Sequence, residues 1–523
     1  MADIVLVKSP FKGNKEHTIN FTSYSQQKDF FLGLENIKKY NISTIKEHLK
    51  TIRVDIEYSV AKNYDYLLYT MTGETKYKYA FIKEVKYIND GCTEIIYEPD
   101  YIQTYLFDYS LGRCFVEREH VSDDTIGLHT IPENVQLGEY VHNFYKSDEN
   151  LEPADGVIVG STMYYKDEER DDFSNQIGAK YGGIYSGVRY YYFHATTSSG
   201  ETGITRFLQL LANEGKIDAV SSMFLAPKFL FSTTNEPTEG PISPFTSMRS
   251  YNVLIGKQKT LDGYTPKNKK LLTFPYNYLL VDNGTGGTAE YHYEDFKEDS
   301  EGTTGDNCNF KVIGTLTPGC SIRMIPQYYK GTNYCEVEGL NLGKFPQCNW
   351  ATDQFTNWLT QNGINIATQI VGAGISIAGG IASGGLGLAV AGGSIMSVAN
   401  TIGEVYKASR VPPQTSGNVN SGDIITSSGA NTFHFYGMSI KKEYAQIIDE
   451  YFSKYGYKVN RVKVPNKNHR QAWWYTKTID TLISGDIPVE ACEKIKEIYE
   501  KGITFWSNPA TYKNYTMSNG IVN

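Results

Sequence analysis

Residues 364–402 read INIATQIVGAGISIAGGIASGGLGLAVAGGSIMSVANTI, and the rest of the chain has to be explained around them. They sit in a run of fifty residues, 354–403, with no charged side chain, in a chain that is 21% charged. A helix of this length would reach about 58 Å, and a bilayer's hydrocarbon core of about 30 Å is crossed by roughly 20 residues. The stretch is therefore long enough for two crossings with a turn near Ser383-Gly384-Gly385. Eleven glycines lie between Gln361 and Gly403. Each costs a helix about 1 kcal/mol relative to alanine, although Gly380 and Gly384 have the small-xxx-small spacing of packed membrane helices. This composition suits a segment that is flexible in water and ordered elsewhere, as fusion peptides and pore loops are. The alternative is a glycine-rich helical hairpin buried in a large core. A phosphate-binding turn at Gly372-Ala-Gly374 is disfavoured: Ile377 stands where the third glycine belongs, and there is no Lys-Ser/Thr pair.

The apolar side chains that would enter lipid are Ile364, Ile366, Ile370, Val371, Ile375, Ile377, Ile381, Leu386, Leu388, Val390, Ile395, Met396, Val398 and Ile402. A helix opening near Asp353 leads into them. After them, Pro412, Pro413, Gly417 and Gly422 mark a flexible hinge.

The 523 residues carry 50 Lys+Arg against 58 Asp+Glu, a net charge of −8. That excludes a surface gripping nucleic acid by bulk positive charge and suits passage of DNA better than its capture. Tyrosine (41) and glycine (48) are abundant, which favours strands and turns. The seven cysteines, 92, 114, 308, 320, 335, 348 and 492, form no Cys-x-x-Cys pair and read as reduced thiols, with no zinc site expected. Met-Ala-Asp-Ile lacks a basic, apolar export signal, so synthesis in the cytoplasm is expected.

Toward the N-terminus the pattern is strand-rich. Thr51-Ile-Arg-Val-Asp-Ile-Glu-Tyr58 alternates with period two, and strands are expected over 4–7, 64–72, 76–85 and 93–97, with a hairpin at Asn89-Asp90-Gly91. Helix is expected over 26–40 and 45–48. His120 beside Asp123 and Asp124 offers either a metal or acid–base group or a polar turn capped by Asp side chains, and the turn is favoured. His129 and His142 have no ligand-like spacing. The charge run 166–172 reads as a solvated loop, 204–214 as a short helix, 235–244 as a loop and 283–287 as a turn. Glu294 and Asp295 are adjacent carboxylates of the kind glycosidases use, but 58 acids place such pairs everywhere. In the last third, 440–455 is a helix with Tyr444, Ile447, Ile448, Tyr451 and Phe452 on one face, closed by Gly456. Strands follow at 457–464 and 473–478. Pro488 opens a second helix with Cys492, Ile495, Ile498 and Tyr499 on one face, closed by Gly502, while Trp473, Trp474 and Trp506 belong to the core. No nucleophile elbow, zinc-protease motif or Walker loop is present, so no catalytic, cofactor-binding or metal-ligating residue is assigned.

Four patches resemble a known family. They are Phe115 to Tyr140, with Glu-Arg-Glu-His-Val-Ser-Asp-Asp and Ile-Pro-Glu-Asn; Leu271-Leu-Thr-Phe-Pro-Tyr-Asn-Tyr-Leu279 with Tyr293-Glu-Asp-Phe296; the glycine-rich apolar stretch; and Tyr455-Gly-Tyr-Lys-Val-Asn460, Trp474-Tyr-Thr-Lys-Thr478, Gly485-Asp-Ile-Pro488 and Gly502-Ile-Thr-Phe-Trp506. In this order they are similar to the tail knob, or distal tail tube, proteins of Picovirinae-type short-tailed phages of Gram-positive bacteria. The resemblance implies a mainly β fold with a few helices: tail-tube-like β-barrel domains, a β-rich knob and a long glycine-rich apolar loop. It implies a first tube part over 1–145, a knob over 146–350, the loop over 351–411, the hinge over 412–431 and a tube-associated α+β part over 432–523. It further implies a structural virion protein and not an enzyme: a homohexamer joined to the upper collar and lower tail proteins. Such a tube conducts double-stranded DNA, and its apolar loops plug the exit and then insert into the host cytoplasmic membrane. The residues alone leave two other readings open: a receptor-binding or wall-degrading tail tip with the apolar stretch as core, and an integral membrane protein spanning twice.

Overall fold

The computed structural model describes 2–148 except 43, 44 and 72, scattered pieces of 151–229, 249–342 except 285, 298–304 and 316–320, the strand 347–349, and 432–522. The chain divides into two compact units. The first is Met1–Gly138, Tyr264–Leu271 and Lys442–Asn523; the second is Glu139–Gly263 and Leu272–Lys441.

The first unit is built on a seven-stranded antiparallel sheet in the order Asn36–Ile42, Ala2–Val7, Tyr66–Thr70, Lys78–Asn89, Cys92–Pro99, Thr51–Val54, Ile45–Lys46. Side chains of a strand alternate between faces, and here both faces are buried. Ile4, Leu6, Ile52, Leu67, Tyr69, Ile95 and Tyr97 fill one core. Val5, Val7, Tyr66, Leu68, Tyr79 and Phe81 pack on the other against Phe11, Phe21 and Phe31. Two-sided burial explains why Ile4-Val-Leu-Val7 is a continuous apolar run, whereas Thr51–Val54 alternates. The hairpin at Asn89-Asp90-Gly91 joins Lys78–Asn89 to Cys92–Pro99.

Helix Tyr24–Gly33 is capped by Ser23, whose hydroxyl accepts from the Gln26 amide at 3.2 Å. It is shorter than the sequence suggests. Asn36–Ile42 is a strand paired with Ala2–Val7, and Ile45–Lys46 pairs with Thr51–Val54 before a single 3-10 turn, Glu47–Leu49. Ladder pairing with a distant strand outweighs weak local helix propensity there. The alternating run likewise leaves the sheet at Val54, and Tyr58–Ala61 is helical although Ile56 stays buried.

A five-stranded sheet completes this unit: His17–Ile19 lies parallel to Ile503–Trp506, followed by Trp473–Ile479, Cys114–Glu119 and Tyr457–Lys463. Helix Val489–Lys501 buries Ile495 and Tyr499 against Trp474, Ile503 and Phe505, and Trp473 and Trp506 meet with ring centroids 5.2 Å apart. Helix Lys442–Tyr455 ends at Gly456, whose φ of +67° and close approach to the Glu119 backbone leave no room for a Cβ. Its buried face is Ala445, Ile448, Asp449 and Phe452, and Ile447 is 65% exposed. The apolar face read from sequence is rotated because Asp449 is drawn inward.

In the second unit, a four-stranded sheet (Tyr140–Ser147, His434–Ile440, Asn277–Asp282, Thr288–Tyr291) shares one core with a five-stranded sheet of Arg249–Gly256, Asn307–Thr315, Ser321–Tyr329, Thr332–Tyr334 and Leu340–Asn341. Leu279, Val281, Phe433, Phe435, Phe310, Val312 and Met324 fill it. A further sheet runs Arg189–His194, Gly156–Ser161, Val220–Ala226, Gln347–Asn349. The ends of the charge run at 166–172 fall in a hairpin, Tyr164–Asp167 with Asp172–Ser174. The fold is mainly β, as expected. Among the described residues no helix is long and apolar enough to cross a membrane. The expected helices at 353–359 and most of 204–214, and the loop at 235–244, lie outside the described residues.

Candidate functional site

All fourteen apolar residues assigned to the membrane-active loop, and hinge residues Pro412, Pro413, Gly417 and Gly422, lie outside the described residues. What the structure gives is where the chain leaves and re-enters. It leaves from Gln347–Asn349, which pairs with Val220–Ala226 through Phe224–Gln347, Met223–Cys348 and Ser222–Asn349. It re-enters at Thr432, whose hydroxyl donates to the Asp148 carbonyl at 2.7 Å, while the Asp148 amide donates to the Phe433 carbonyl at 3.0 Å. The Asp148 carboxylate accepts the Tyr251 hydroxyl at 2.6 Å. Phe433 and Phe435 are fully buried, and His434–Ile440 lies between two antiparallel neighbours. At Gly437 a Cβ would collide with the Phe144 ring, so glycine is needed for this close packing. The nearest described strands on either side of the uncharged stretch, Gln347–Asn349 and His434–Ile440, are thus held in ladders of the second unit. Nothing local in the sequence marks Asp148 or Thr432 for this role.

The first unit holds a buried charge cluster that motif reading did not single out. The Lys270 ammonium donates to Glu133 Oε1 at 2.6 Å and to the Ile131 carbonyl at 2.8 Å. Arg118 pairs with Glu133 Oε2 and donates to the Gly456 carbonyl at 2.7 Å. The Lys458 amide also donates to Glu133, at 2.8 Å. Burial opposes ionisation of Glu133, but Lys270 and Arg118 outweigh it and hold the carboxyl below its ordinary range. Nearby, Asp449 accepts from the Tyr264 hydroxyl (2.6 Å), the Lys267 amide (2.8 Å), and the Asn268 amide and side chain (3.0 and 2.7 Å). Asp449 and Glu133 together fix the segment Tyr264–Leu271.

The candidate His120 group resolves into structure. Asp123 caps its own turn, accepting from the Thr125 amide at 2.9 Å, and Asp124 accepts from the Tyr457 hydroxyl at 2.6 Å. His120 is buried: its Nδ1 accepts from the Tyr475 amide at 2.8 Å, so Nε2 carries the proton donated to the Ser453 carbonyl at 3.1 Å. Burial pushes its pKa down to about 3, so the ring is neutral. His129 hydrogen-bonds the Asp123 carbonyl, and His142 stacks edge-on near Tyr436. Among the described residues no group of three or more His, Cys, Asp or Glu is arranged around a metal position. Cys92, Cys114, Cys308, Cys335 and Cys492 are free thiols.

The Glu294–Asp295 pair is divided between two environments. Glu294 accepts from the Phe274 amide at 2.9 Å, and its second oxygen is buried with no hydrogen-bond partner among the described residues. Asp295 faces His292 at 3.4 Å. Burial pushes Glu294 up to about 7 from 4.5. The folded chain therefore binds an extra proton between those values, and stability falls as pH rises through that window. Glu294→Gln is expected to raise the melting temperature at pH 8 and leave it unchanged at pH 4, read by scanning calorimetry. Equal shifts at both pH values would contradict the assignment.

Residues 244–520 match the model described as Bacillus phage phi29, Tail knob protein gp9, C-terminal domain, and 3–110 match the Caudoviral major tail protein N-terminus. The chain is 24% identical over 607 residues to the tail knob protein gp9 of Bacillus phage phi29, covering 99% of this chain and 98% of that one. It is also 24% identical over 613 residues to the tail knob protein gp9 of Bacillus phage PZA, with the same coverage. In fold it is similar to the bacteriophage C1 tail knob protein gp12, with a TM-score of 0.66 at 13% identity over 100% of both chains.

Proposed function

This chain belongs to the phi29 tail knob protein gp9 family, structural proteins of the phage tail rather than enzymes, and from that premise we propose that it forms a homohexameric distal tube and knob that conducts the genome. In this reading the apolar stretch plugs the exit and then enters the host cytoplasmic membrane during DNA ejection. One observation carries it: fifty consecutive uncharged residues, 354–403, lie between two chain segments anchored in ladders, Gln347–Asn349 and His434–Ile440. Six such stretches can cover one another's apolar surface in a closed ring; one exposed alone would be an aggregation site. In lipid, a ring of helices or a closed barrel would satisfy their backbone groups. Upper collar and lower tail proteins would be the virion partners, and 412–431 the hinge.

Deleting 363–403 tests this. The deletion variant is expected to assemble to the same particle mass as the parent, while leakage of dye-loaded vesicles, present with the full chain, is abolished. A full-length protein that leaves vesicles sealed, or a deletion as leaky as its parent, overturns the proposal. The tail-tip reading, with the stretch as core, is favoured instead if the deletion fails to fold.

A further inference from the structure

A cavity of about 310 Å³ opens in the first unit between the turn Glu47–Leu49, the ends of the strands carrying Tyr69 and Tyr97, and the start of helix Val489–Lys501. It is within the size range of small-molecule sites, roughly 300–1,000 Å³. The tube and membrane reading makes no use of it.

Its walls are tyrosines. Tyr69, Tyr97, Tyr101 and Tyr105 all line it, an apolar yet hydrogen-bonding surface. Its charges cancel in pairs. Glu47 accepts the Lys78 ammonium at 2.8 Å and the Tyr69 hydroxyl at 3.0 Å. Glu490 accepts the Lys50 ammonium at 3.4 Å and the Tyr101 hydroxyl at 2.9 Å. All four contacts use one oxygen of each carboxylate, Oε1, so the other is open to a donor. Tyr97 is 2% exposed, and its hydroxyl lies beside that of Tyr69 without a well-formed hydrogen bond to any described residue. A buried hydroxyl in that position is stabilised by a ligand or water that completes it.

We propose that this cavity is a binding subsite for one neutral sugar ring. A pyranose offers C–H faces to the tyrosine rings and hydroxyls that donate to the free carboxylate oxygens of Glu47 and Glu490 and pair with the Tyr97 hydroxyl. With Lys50 and Lys78 already paired to Glu490 and Glu47, the lining offers an anion no unpaired positive charge from these four residues.

The test is saturation-transfer NMR on the full-length protein with glucose and N-acetylglucosamine, and with glycerol phosphate as the anionic comparator. Ring-proton signals are expected from at least one sugar and none from glycerol phosphate. Tyr97→Phe removes one hydrogen bond and is expected to weaken binding about fivefold. Glu490→Gln, at a surface position where folding is not at stake, is expected to weaken it as well. Absence of signal from both sugars, a glycerol phosphate signal of equal strength, or unchanged binding in both variants overturns the proposal.

Discussion

Replacing Glu133 by alanine is expected to destabilise the first unit by about 3–5 kcal/mol, the usual cost of removing one partner from a buried ion pair. The reason lies in what remains. The Lys270 side chain is 2% exposed and would lose its carboxylate partner, leaving its ammonium the Ile131 carbonyl and the faces of Phe452 and Tyr457. Arg118 and the Lys458 amide would lose an acceptor at the same time. Urea unfolding followed by tryptophan fluorescence measures this, since Trp473, Trp474 and Trp506 all lie in that unit's core. Adding Lys270→Met to the alanine variant should recover part of the loss by removing the stranded charge. An exposed pair such as Lys8–Glu35 is the control, and its removal should be barely detectable. The pH dependence has a definite sign. Glu133 is held below its ordinary pKa, so its contribution is full above the usual carboxylate range and is lost as pH falls through the folded value. The variant should therefore have a flatter acid limb than the parent, and an identical acid limb would refute the role given to this carboxylate.

Local patterns were legible where local forces decide. The strands expected over 64–72, 76–85 and 93–97 are found as neighbours at Tyr66–Thr70, Lys78–Asn89 and Cys92–Pro99, and the Asn89-Asp90-Gly91 turn closed the expected hairpin. Helices Lys442–Tyr455 and Val489–Lys501 stop where Gly456 and Gly502 allow positive φ. Sequence reading failed where a distant strand made the choice. The segment Asn36–Ile42 has helix-compatible residues, but its backbone pairs with Ala2–Val7, and no local signal announces that edge. The root of the apolar stretch is equally hidden: Thr432 and Asp148 meet across 284 residues. The stretch stands out in the sequence by its missing charges alone, and it lies outside the described residues.

Asp449 could have been found from sequence, and it carries the second large prediction. With Ala445, Ile448 and Phe452 it makes an i, i+3, i+4, i+7 face, so an acid there must be either misplaced or paired. Four donors converge on it, all from Tyr264–Asn268. Asp449→Asn nearly preserves shape but turns an amide N–H₂ toward one pair of those donors. Each hydrogen bond to a charged group is worth about 1.5–3 kcal/mol, so a loss of about 3 kcal/mol is expected, concentrated in this segment. Hydrogen exchange reads that locally: about 3 kcal/mol is roughly a hundredfold faster exchange for the Lys267 and Asn268 amides. Tyr264→Phe, which deletes one donor and leaves the carboxylate its other three, should accelerate the same amides by about tenfold or less. If both variants exchange like the parent, the segment is held by its surroundings and Asp449 is not its anchor.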